Sequence, residues 1–246
     1  MKIIISPAKK MKKDTDSFSD LTQPIFLNEA TIILQTLQQL SNQELQSLWK
    51  TNDKLTQENI VRLYEMDLYK LLTPAIIAYE GIQYQYMSPD IFTNDELTYI
   101  QSNLRILSGL YGVLKPFDGI APYRLEMQSK LDINGIKGLY NFWAEKIYNE
   151  VSDDSKIIIN LASKEYAKCV SKYLTSDDRL IDIYFGELKD GRFVQKATYA
   201  KMARGEMVRY MAKHNIQTID PIKAFNELNY TFDSERSNNH QFYFIK

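Results

Sequence analysis

The sequence predicts an α/β fold, with a single domain over residues 1–246 and a mixed central sheet flanked by helices. Short apolar runs at residues 2–5 and 157–161 are typical of buried strands. In the second half, segments with the apolar spacing of helices alternate with strands, which is the pattern of an α/β protein. The closing segments resemble antiparallel strands, so we expect the sheet to be mixed. Single α/β domains often reach this length of 246 residues.

The first half of the chain is predicted to be mostly helical after its opening strand. Two N-terminal capping boxes support this prediction, one of Ser41 with Glu44 and one of Thr93 with Glu96. A lysine-rich polar loop is expected between the opening strand and about residue 22. The predicted elements are two or three helices within 24–72, a short helix at 74–81, a strand at 82–87 and a helix from 94 to about 104.

In the second half, turn and cap signals separate the strands from the helices. Asp190-Gly191 is typical of a tight hairpin turn between two strands. Ser163 is a suitable N-cap for the helix that follows the strand at 157–161. The predicted elements are a helix at 139–151, strands at 157–161, 180–188 and 192–195, helices at 163–174, 198–214 and from 221, and closing strands at 230–232 and 242–245.

Composition narrows the classes of function. The 30 Lys and Arg residues nearly balance the 31 Asp and Glu residues, so a polyanion could bind only where cations cluster locally. One cysteine, Cys169, permits no disulfide framework, and His214 and His240 do not form a zinc motif. We therefore expect neither a metal nor another cofactor. No signal-peptide or membrane-spanning segment stands out, so we expect a cytoplasmic protein with no membrane partner.

The first candidate site is a lysine-rich stretch directly after the opening strand. Lys9 and Lys10 begin a run of four lysines within residues 9–13. Open α/β sheets usually bind ligands at the carboxyl ends of their strands, and clustered lysines suit phosphate groups. The alternative is a solvated basic loop that binds no partner.

The second candidate site lies within residues 104–127. Ser108 precedes Gly109 and Gly112, whose spacing resembles the hairpin of a helix-hairpin-helix motif. Such a turn exposes backbone N–H groups that donate to a phosphate, and it contacts the backbone of DNA rather than its bases. The cations that could add charge nearby are Arg105, Lys115 and Arg124. The alternative is an ordinary turn between two apolar segments.

The third candidate site is the predicted helix at 198–214. At about 100° per residue, Lys201, Arg204 and Arg209 fall on one half of the helix, and Gly205 lies between Lys201 and Arg209. An interior helix glycine costs about 1 kcal/mol relative to alanine. Its position among cations therefore indicates room for a phosphate to approach closely. The alternative is close packing of this helix against another backbone.

One strand-to-helix junction and three carboxylates complete the candidates. Ser163 lies where a strand runs into a helix, and such a junction can bind an anion, although the serine could simply cap its helix. Asp118, Glu126 and Glu165 could perform acid–base chemistry, but their spacing does not show which of them approach each other. Glu126 is also close enough in sequence to pair with Arg124.

Five motifs resemble those of one known family. In chain order they are Ser6-Pro7-Ala8-Lys9, residues 105–127, Leu139-Tyr140-x-Phe142-Trp143, Asn160-Leu161-Ala162-Ser163 and residues 201–209. They occur in order along nearly the whole chain and resemble the peroxide stress protein YaaA family. The resemblance implies a one-domain α/β fold in the cytoplasm and a role in the response to hydrogen peroxide. It also implies a positively charged cleft with a helix-hairpin-helix element for DNA.

By position, the resemblance places the hairpin at residues 108–112. It assigns the cleft to Lys9, Arg105, Lys115, Arg124, Lys201, Arg204 and Arg209. Two positions depart from the family pattern, because Lys115 stands where arginine is usual and Glu206 places an acid beside Gly205. Lysine cannot form the two parallel hydrogen bonds that arginine makes to a phosphate. Residues 80–84 also match only loosely.

These features favour a DNA-binding protein that contacts phosphates without reading bases and acts in the peroxide response. The rival hypothesis is an enzyme acting on a nucleotide, a nucleobase or a DNA lesion, with the same cations holding a small phosphorylated ligand. An enclosed cavity joining Lys9, Arg124, Glu126 and Lys201 would favour the enzyme. An open groove wide enough for duplex DNA would favour binding alone. A third hypothesis, an oligomeric stress adaptor, has no positive sequence feature beyond the aromatic content.

Overall fold

A mixed eight-stranded sheet forms the centre of the described part of the chain. The structure is a computed structural model, and it describes residues 1–15 and 21–246. Residues 16–20, which belong to the predicted lysine-rich loop, lie outside the described residues. The strands are β1 Lys2–Ile5, β2 Lys10–Met11, β3 Thr73–Pro74, β4 Tyr79–Glu80, β5 Leu104–Ser108, β6 Gly112–Leu114, β7 Gly119–Ile120, β8 Asp132–Ile133, β9 Ile136–Lys137, β10 Ile157–Leu161, β11 Arg179–Lys189, β12 Arg192–Val194, β13 Thr231–Phe232 and β14 Gln241–Ile245.

Helices of very different lengths flank this sheet. The α-helices are α1 Leu27–Gln38, α2 Asn42–Trp49, α3 Asp53–Glu65, α4 Ala75–Ala78, α5 Ile82–Met87, α6 Asn94–Asn103, α7 Leu139–Trp143, α8 Lys146–Val151, α9 Lys164–Ser171 and α10 Ala197–Lys213. Short 3₁₀ helices cover Pro89–Ile91, Asp220–Ala224 and Glu227–Asn229. Among the described residues, none of the helices combines the length and the apolar character that crossing a bilayer requires. The predicted mixed α/β architecture is confirmed.

The sheet has the strand order β13-β14-β11-β10-β1-β5-β6, and β12 pairs with β11. The five neighbouring strands from β14 to β5 are parallel, whereas β6, β12 and β13 each run antiparallel to their partners. Ile3 aligns with Ile159 on one side and with Leu104 on the other, and all three are fully buried. Strands covered on both faces are continuously apolar, which is why the run of isoleucines in β1 forms the middle of the sheet. Because parallel strands end at one edge, the loops after β1, β5 and β10 lie at the same edge of the sheet.

Side-chain caps begin the helices α2, α3 and α6, and those of α2 and α6 are the two predicted capping boxes. The Ser41 hydroxyl accepts a hydrogen bond from the Glu44 N–H, and the Glu44 carboxylate accepts one from the Ser41 N–H. Asn52 caps α3 in a similar way by accepting from the Leu55 N–H. α6 begins with the second predicted capping box. These reciprocal bonds satisfy backbone donors that the first turn of a helix leaves unpaired.

Three secondary-structure predictions were wrong in detail. Residues 82–87 form the helix α5 instead of a strand, and this helix packs against α10. The short helix predicted at 74–81 has only one turn, because Tyr79–Glu80 pairs with Lys10–Met11 as a strand. The helix predicted at 139–151 is divided into α7 and α8 by Ala144, whose φ of 44° is incompatible with a continuous α-helix.

The predicted helix-hairpin-helix element is a β-hairpin. Ser108 pairs with Gly112 at the end of the antiparallel strands β5 and β6, so Gly109 lies in a strand-to-strand turn. A Cβ atom on Gly109 would lie 2.5 Å from the Leu125 carbonyl oxygen, and one on Gly112 would lie 2.8 Å from the Trp143 ring. The Trp143 indole N–H donates to the Gly109 carbonyl at 3.0 Å. The two glycines therefore allow close packing in the core, and both are buried in the fold.

Candidate phosphate-binding site

A cavity of about 540 Å³ opens at the edge where the parallel strands end. We call it the first cavity. Its walls come from five separate parts of the chain, which are residues 6–10, residues 80–84, residues 123–126, the start of α9, and α10. The residues that carry charge or a hydroxyl group in these walls are Ser6, Lys9, Lys10, Glu80, Tyr84, Tyr123, Arg124, Glu126, Ser163, Glu165, Tyr166, Lys201 and Arg204.

Hydrogen bonds between loops fix the position of the cavity. The Ser163 N–H donates to the Ser6 hydroxyl at 2.8 Å, and that hydroxyl donates to the Ser163 hydroxyl at 3.2 Å. The Tyr84 hydroxyl donates to the Ser6 carbonyl at 2.9 Å. Ser163 is at the N-cap position of α9, as predicted, but its side chain makes no capping bond to that helix. Its hydroxyl instead joins the loops after β1 and β10.

Glu126 lies between two cations in the first cavity. One of its carboxylate oxygens is 3.0 Å from the Lys9 Nζ and 3.2 Å from an Arg124 guanidinium nitrogen. Lys9 is exposed, whereas the side chains of Arg124 and Glu126 are largely buried. Lys10 makes a separate ion pair of 3.0 Å with Glu80 at the rim. The pairing of Glu126 with Arg124 that their sequence spacing suggested is confirmed, and Lys9 joins it.

Lys201 and Arg204 bring positive charge to the opposite wall. Neither side chain takes part in an ion pair among the described residues. The Nε atom of Arg204 is inaccessible to solvent and has no hydrogen-bond partner. Burial lowers the pKa of the Arg204 guanidinium, and the nearby Asp182 and Tyr184 offset this only in part. This wall therefore carries a cation that the protein itself does not neutralise.

Neutral tyrosines support the floor of the first cavity. The buried Tyr123 hydroxyl shares hydrogen bonds of 2.8 Å with the Tyr79 hydroxyl and 2.7 Å with the Ser108 hydroxyl. Burial raises the pKa of Tyr123 to about 12, and burial also raises the pKa of Tyr166. Ser108 is fully buried in this network. It positions Tyr123 and does not face the cavity as the predicted phosphate ligand.

Only two of the three predicted acid–base carboxylates belong to this cavity. Glu165 lies in its wall with Glu126 and accepts a hydrogen bond of 3.2 Å from the Gln128 N–H. Burial raises the pKa of Glu165, and the negative charge of Glu126 acts in the same direction. Asp118 lies elsewhere and accepts hydrogen bonds from the Thr22 hydroxyl and the Lys115 N–H.

Arg105 and Lys115 are not part of the first cavity. They lie with Asp118 and Glu150 in a small cavity of about 50 Å³. Arg105 is the second residue of β5, so it lies toward the amino end of the parallel strands. Its guanidinium donates to the Leu104 and Gln101 carbonyls at 2.8 and 3.2 Å. The Arg105 guanidinium, which the family resemblance assigns to the cleft, therefore makes hydrogen bonds to neighbouring backbone carbonyls instead.

Gly205 of α10 does not leave the room for a phosphate that the sequence had predicted. Gly205 is buried, and a Cβ atom there would collide with the Gln83 carbonyl oxygen and lie 2.9 Å from the Met87 nitrogen. The glycine thus lets α10 pack directly against the backbone of α5, which is the alternative that the sequence left open. Arg209 lies farther along α10 and lines neither of the cavities that contain Arg204.

A second cavity, of about 620 Å³, is also lined by Arg204. Of its lining residues, the sequence predicted only Ser163, Lys201 and Arg204 as site residues. Asn160 donates to the Asp182 carboxylate at 2.6 Å and accepts from the Ala162 N–H at 2.9 Å. The sequence signal for this cavity was the presence of polar residues at the end of β10 and within β11. Both strands run to the same edge of the sheet, where ligands usually bind. In the described residues, no three His, Cys, Asp or Glu side chains are grouped so as to hold a metal ion.

Comparison with known proteins assigns the family. A family model described as peroxide stress protein YaaA matches residues 1–236. The chain belongs to this family. Every residue that lines the first cavity lies within the part that the YaaA model matches. The predicted family resemblance is confirmed.

The chain is also similar over nearly its whole length to UPF0246 proteins of several organisms. A UPF0246 protein of Agathobacter rectalis is 51% identical over 244 residues, covering 99% of this chain and 98% of its own. A UPF0246 protein of Pediococcus pentosaceus is 52% identical over 246 residues, covering 100% and 98%. One of Lactiplantibacillus plantarum is 51% identical over 245 residues, covering 100% and 99%. The YaaA family match thus extends over essentially the whole chain.

Proposed function

We propose that this protein binds DNA through its backbone phosphates and acts in the cellular response to peroxide. The observation that carries the DNA proposal is the meeting of cations from distant segments at the first cavity, with Lys9, Arg124 and Lys201 in its walls. The description of the family as peroxide stress proteins supports the physiological setting. Contacts to phosphate oxygens position a protein on DNA without reading its sequence.

The local charge supports this proposal although the chain as a whole carries a net charge of −1. Five cations and three carboxylates line the first cavity. Glu126 and Glu80 are already held in ion pairs, whereas Lys201 and Arg204 have no such partner among the described residues. Anions are therefore attracted to this face, because local clustering and not net charge sets the field that a polyanion meets.

The dependence of affinity on salt tests the proposal. If about four to six phosphates are contacted, the slope of log affinity against log salt on duplex DNA is about −3.6 to −5.4. We expect Lys201→Gln to make this slope shallower by about 0.9, since one phosphate contact is lost. Fluorescence anisotropy with a labelled duplex measures both values. Lys115→Gln is the matched control, because Lys115 lines the separate small cavity.

Two results would contradict DNA binding at this site. One is an affinity for duplex DNA that does not change with salt. The other is a Lys115→Gln variant that loses as much slope as Lys201→Gln, since the loss would then be unrelated to the first cavity.

A second candidate function is an enzyme acting on a nucleotide, a nucleobase or a DNA lesion. The first cavity favours it, because it joins Lys9, Arg124, Glu126 and Lys201 in a volume typical of small-ligand sites. Glu126 and Glu165 share this cavity in different surroundings, since only Glu126 is paired with cations. Two carboxyl groups that differ in this way can serve as base and acid, with Glu165 as the proton donor.

Turnover of nucleotides and of oligonucleotides containing modified bases tests the second candidate. We expect Glu126→Gln and Glu165→Gln to reduce the rate by at least about 100-fold, which is the usual contribution of general acid–base catalysis. Glu80→Gln is the control, because Glu80 lies at the same rim but pairs with Lys10. Product formation is followed by chromatography. Turnover that persists unchanged in both variants would exclude these carboxylates as the catalytic groups.

A further inference from the structure

Arg204 lies in a wall that the first and second cavities share. Ser163 and Lys201 also line both cavities, so the two spaces of about 540 and 620 Å³ adjoin at these three residues. Arg204 is only partly buried, and among the described residues its side chain makes no hydrogen bond, so the guanidinium nitrogens other than the solvent-inaccessible Nε are left for a ligand. A cation removed from water without a hydrogen-bonded counter-ion is costly for a folded protein. This arrangement is the one expected of a site that an anion completes.

An anion bound at Arg204 lies where the first and second cavities adjoin. A guanidinium presents a planar fork of donors that matches two oxygens of a phosphate group. A phosphate monoester carries one organic group, whereas a phosphodiester carries one on each side. Of these two, the diester is the one that can be bound at Arg204 while its substituents enter both cavities.

We propose that Arg204 binds the phosphodiester between two unpaired nucleotides of a strand, with one nucleoside in each cavity. This inference rests on the proposed binding of DNA and names the part of DNA that the site takes. Cavities of this size accept single small ligands and not a stacked duplex. The two nucleotides must consequently be out of the base stack, as they are in single strands or extruded positions.

The walls of the cavities suit this occupant. The first cavity is lined by Pro7, Ile82, Leu125 and the ring of Tyr166, which offer apolar area to a nucleoside. The second cavity contains Asn160 and Asp182, and side chains of these types can hydrogen bond to the edges of bases. The exposed Lys164 and Lys168 at its rim can bind the next phosphates along the strand.

Binding of short ligands tests the inference directly. Isothermal titration calorimetry compares the dinucleoside monophosphate TpT with thymidine 5′-monophosphate and with inorganic phosphate. We expect TpT to bind at least about tenfold more tightly than the mononucleotide, because only TpT fills both cavities. Equal affinities for TpT and the mononucleotide would overturn the two-cavity assignment.

Variants of Arg204 separate a ligand-binding role from a structural one. Arg204→Met removes the unpaired charge, so we expect a higher Tm of the free protein and a loss of TpT affinity of at least about tenfold. Arg204→Lys keeps the charge but lacks the planar set of guanidinium donors, so we expect it to retain part of the affinity for TpT. A lower Tm together with unchanged TpT binding in Arg204→Met would show that Arg204 is structural and would overturn the inference.

A 20-base-pair duplex and a 20-base single strand, titrated in parallel, distinguish the two proposals. Salt-dependent DNA binding without any affinity for TpT would leave the proposed function standing and overturn the inference. TpT binding that Arg204→Met abolishes, with no binding of either 20-mer, would support the phosphodiester site and refute DNA as the partner. Stronger competition by TpT against the single strand than against the duplex would support both.

Discussion

At the scale of single residues, the charged groups of the first cavity differ in how far the protein itself satisfies them. Glu126 has two cations at 3.0 and 3.2 Å. Arg204 and Arg124 each have a buried Nε without a hydrogen-bond partner, and Glu165 accepts hydrogen bonds from the backbone N–H groups of Met127 and Gln128. Groups left unsatisfied by the fold are those through which a ligand gains binding free energy, because the ligand supplies the missing bonds.

Glu165 predicts a pH dependence of stability. Its pKa in the folded state is raised above the ordinary value of 4.5, so the folded state holds this proton more tightly than the unfolded state. The contribution of Glu165 to the free energy of unfolding therefore falls as pH rises from the ordinary carboxyl range through the raised value. We expect Glu165→Gln to lose less stability than the wild type over this interval.

Urea unfolding at several values between about pH 4 and 8 measures this difference. Glu58→Gln is the control, because Glu58 is exposed on α3 and its replacement should leave the profile of the wild type unchanged. A Glu165→Gln profile parallel to that of the wild type would contradict the burial of this carboxyl group.

At the scale of elements, long or capped segments and the most apolar strands could be predicted from the sequence, whereas several other short segments could not. The capping boxes at Ser41 and Thr93 identified α2 and α6 because those signals are local. Residues 82–87 are six residues whose apolar positions suit a strand as well as a helix. Their conformation is decided by contact with α10 at Gly205, which lies more than a hundred residues away in sequence. No local pattern contains that information.

The close contact between α10 and α5 predicts that replacing Gly205 with a larger residue destabilises the protein. Gly205→Ala gains up to about 1 kcal/mol of helix propensity. The new methyl group, however, meets the backbone at Gln83 and Met87, which cannot yield as a side chain can. Overpacking of this kind costs about 1–3 kcal/mol or more, so we expect net destabilisation. Urea unfolding measures the change, and the exposed Lys201→Ala on the same helix should stay within about 0.5 kcal/mol. A Gly205→Ala variant more stable than the wild type would show that the two helices are not in close contact.

At the scale of the whole molecule, the strand order decides which predicted cations meet. Lys9 and Ser163 follow parallel strands that adjoin in the sheet, so their meeting could be expected from the sequence once both strands were identified. The family resemblance assigned Arg105 to the same cleft, but the sequence did not predict the strand β5, whose second position places Arg105 toward the other edge of the sheet. The role of Ser6, which joins two loops, depends on a partner 157 residues away and has no signal in sequence spacing.

The central place of β1 has a consequence for synthesis on the ribosome. Its neighbours β5 and β10 begin at residues 104 and 157, so the isoleucines of β1 leave the exit tunnel long before either partner exists. At roughly 5–20 residues per second, synthesis of the roughly 100 residues between β1 and β5 takes about 5–20 s. During that time the exposed apolar segment of β1 has no partner strand within its own chain. Nascent copies of this protein should therefore depend on chaperones that hold such stretches until translation passes the middle of the chain.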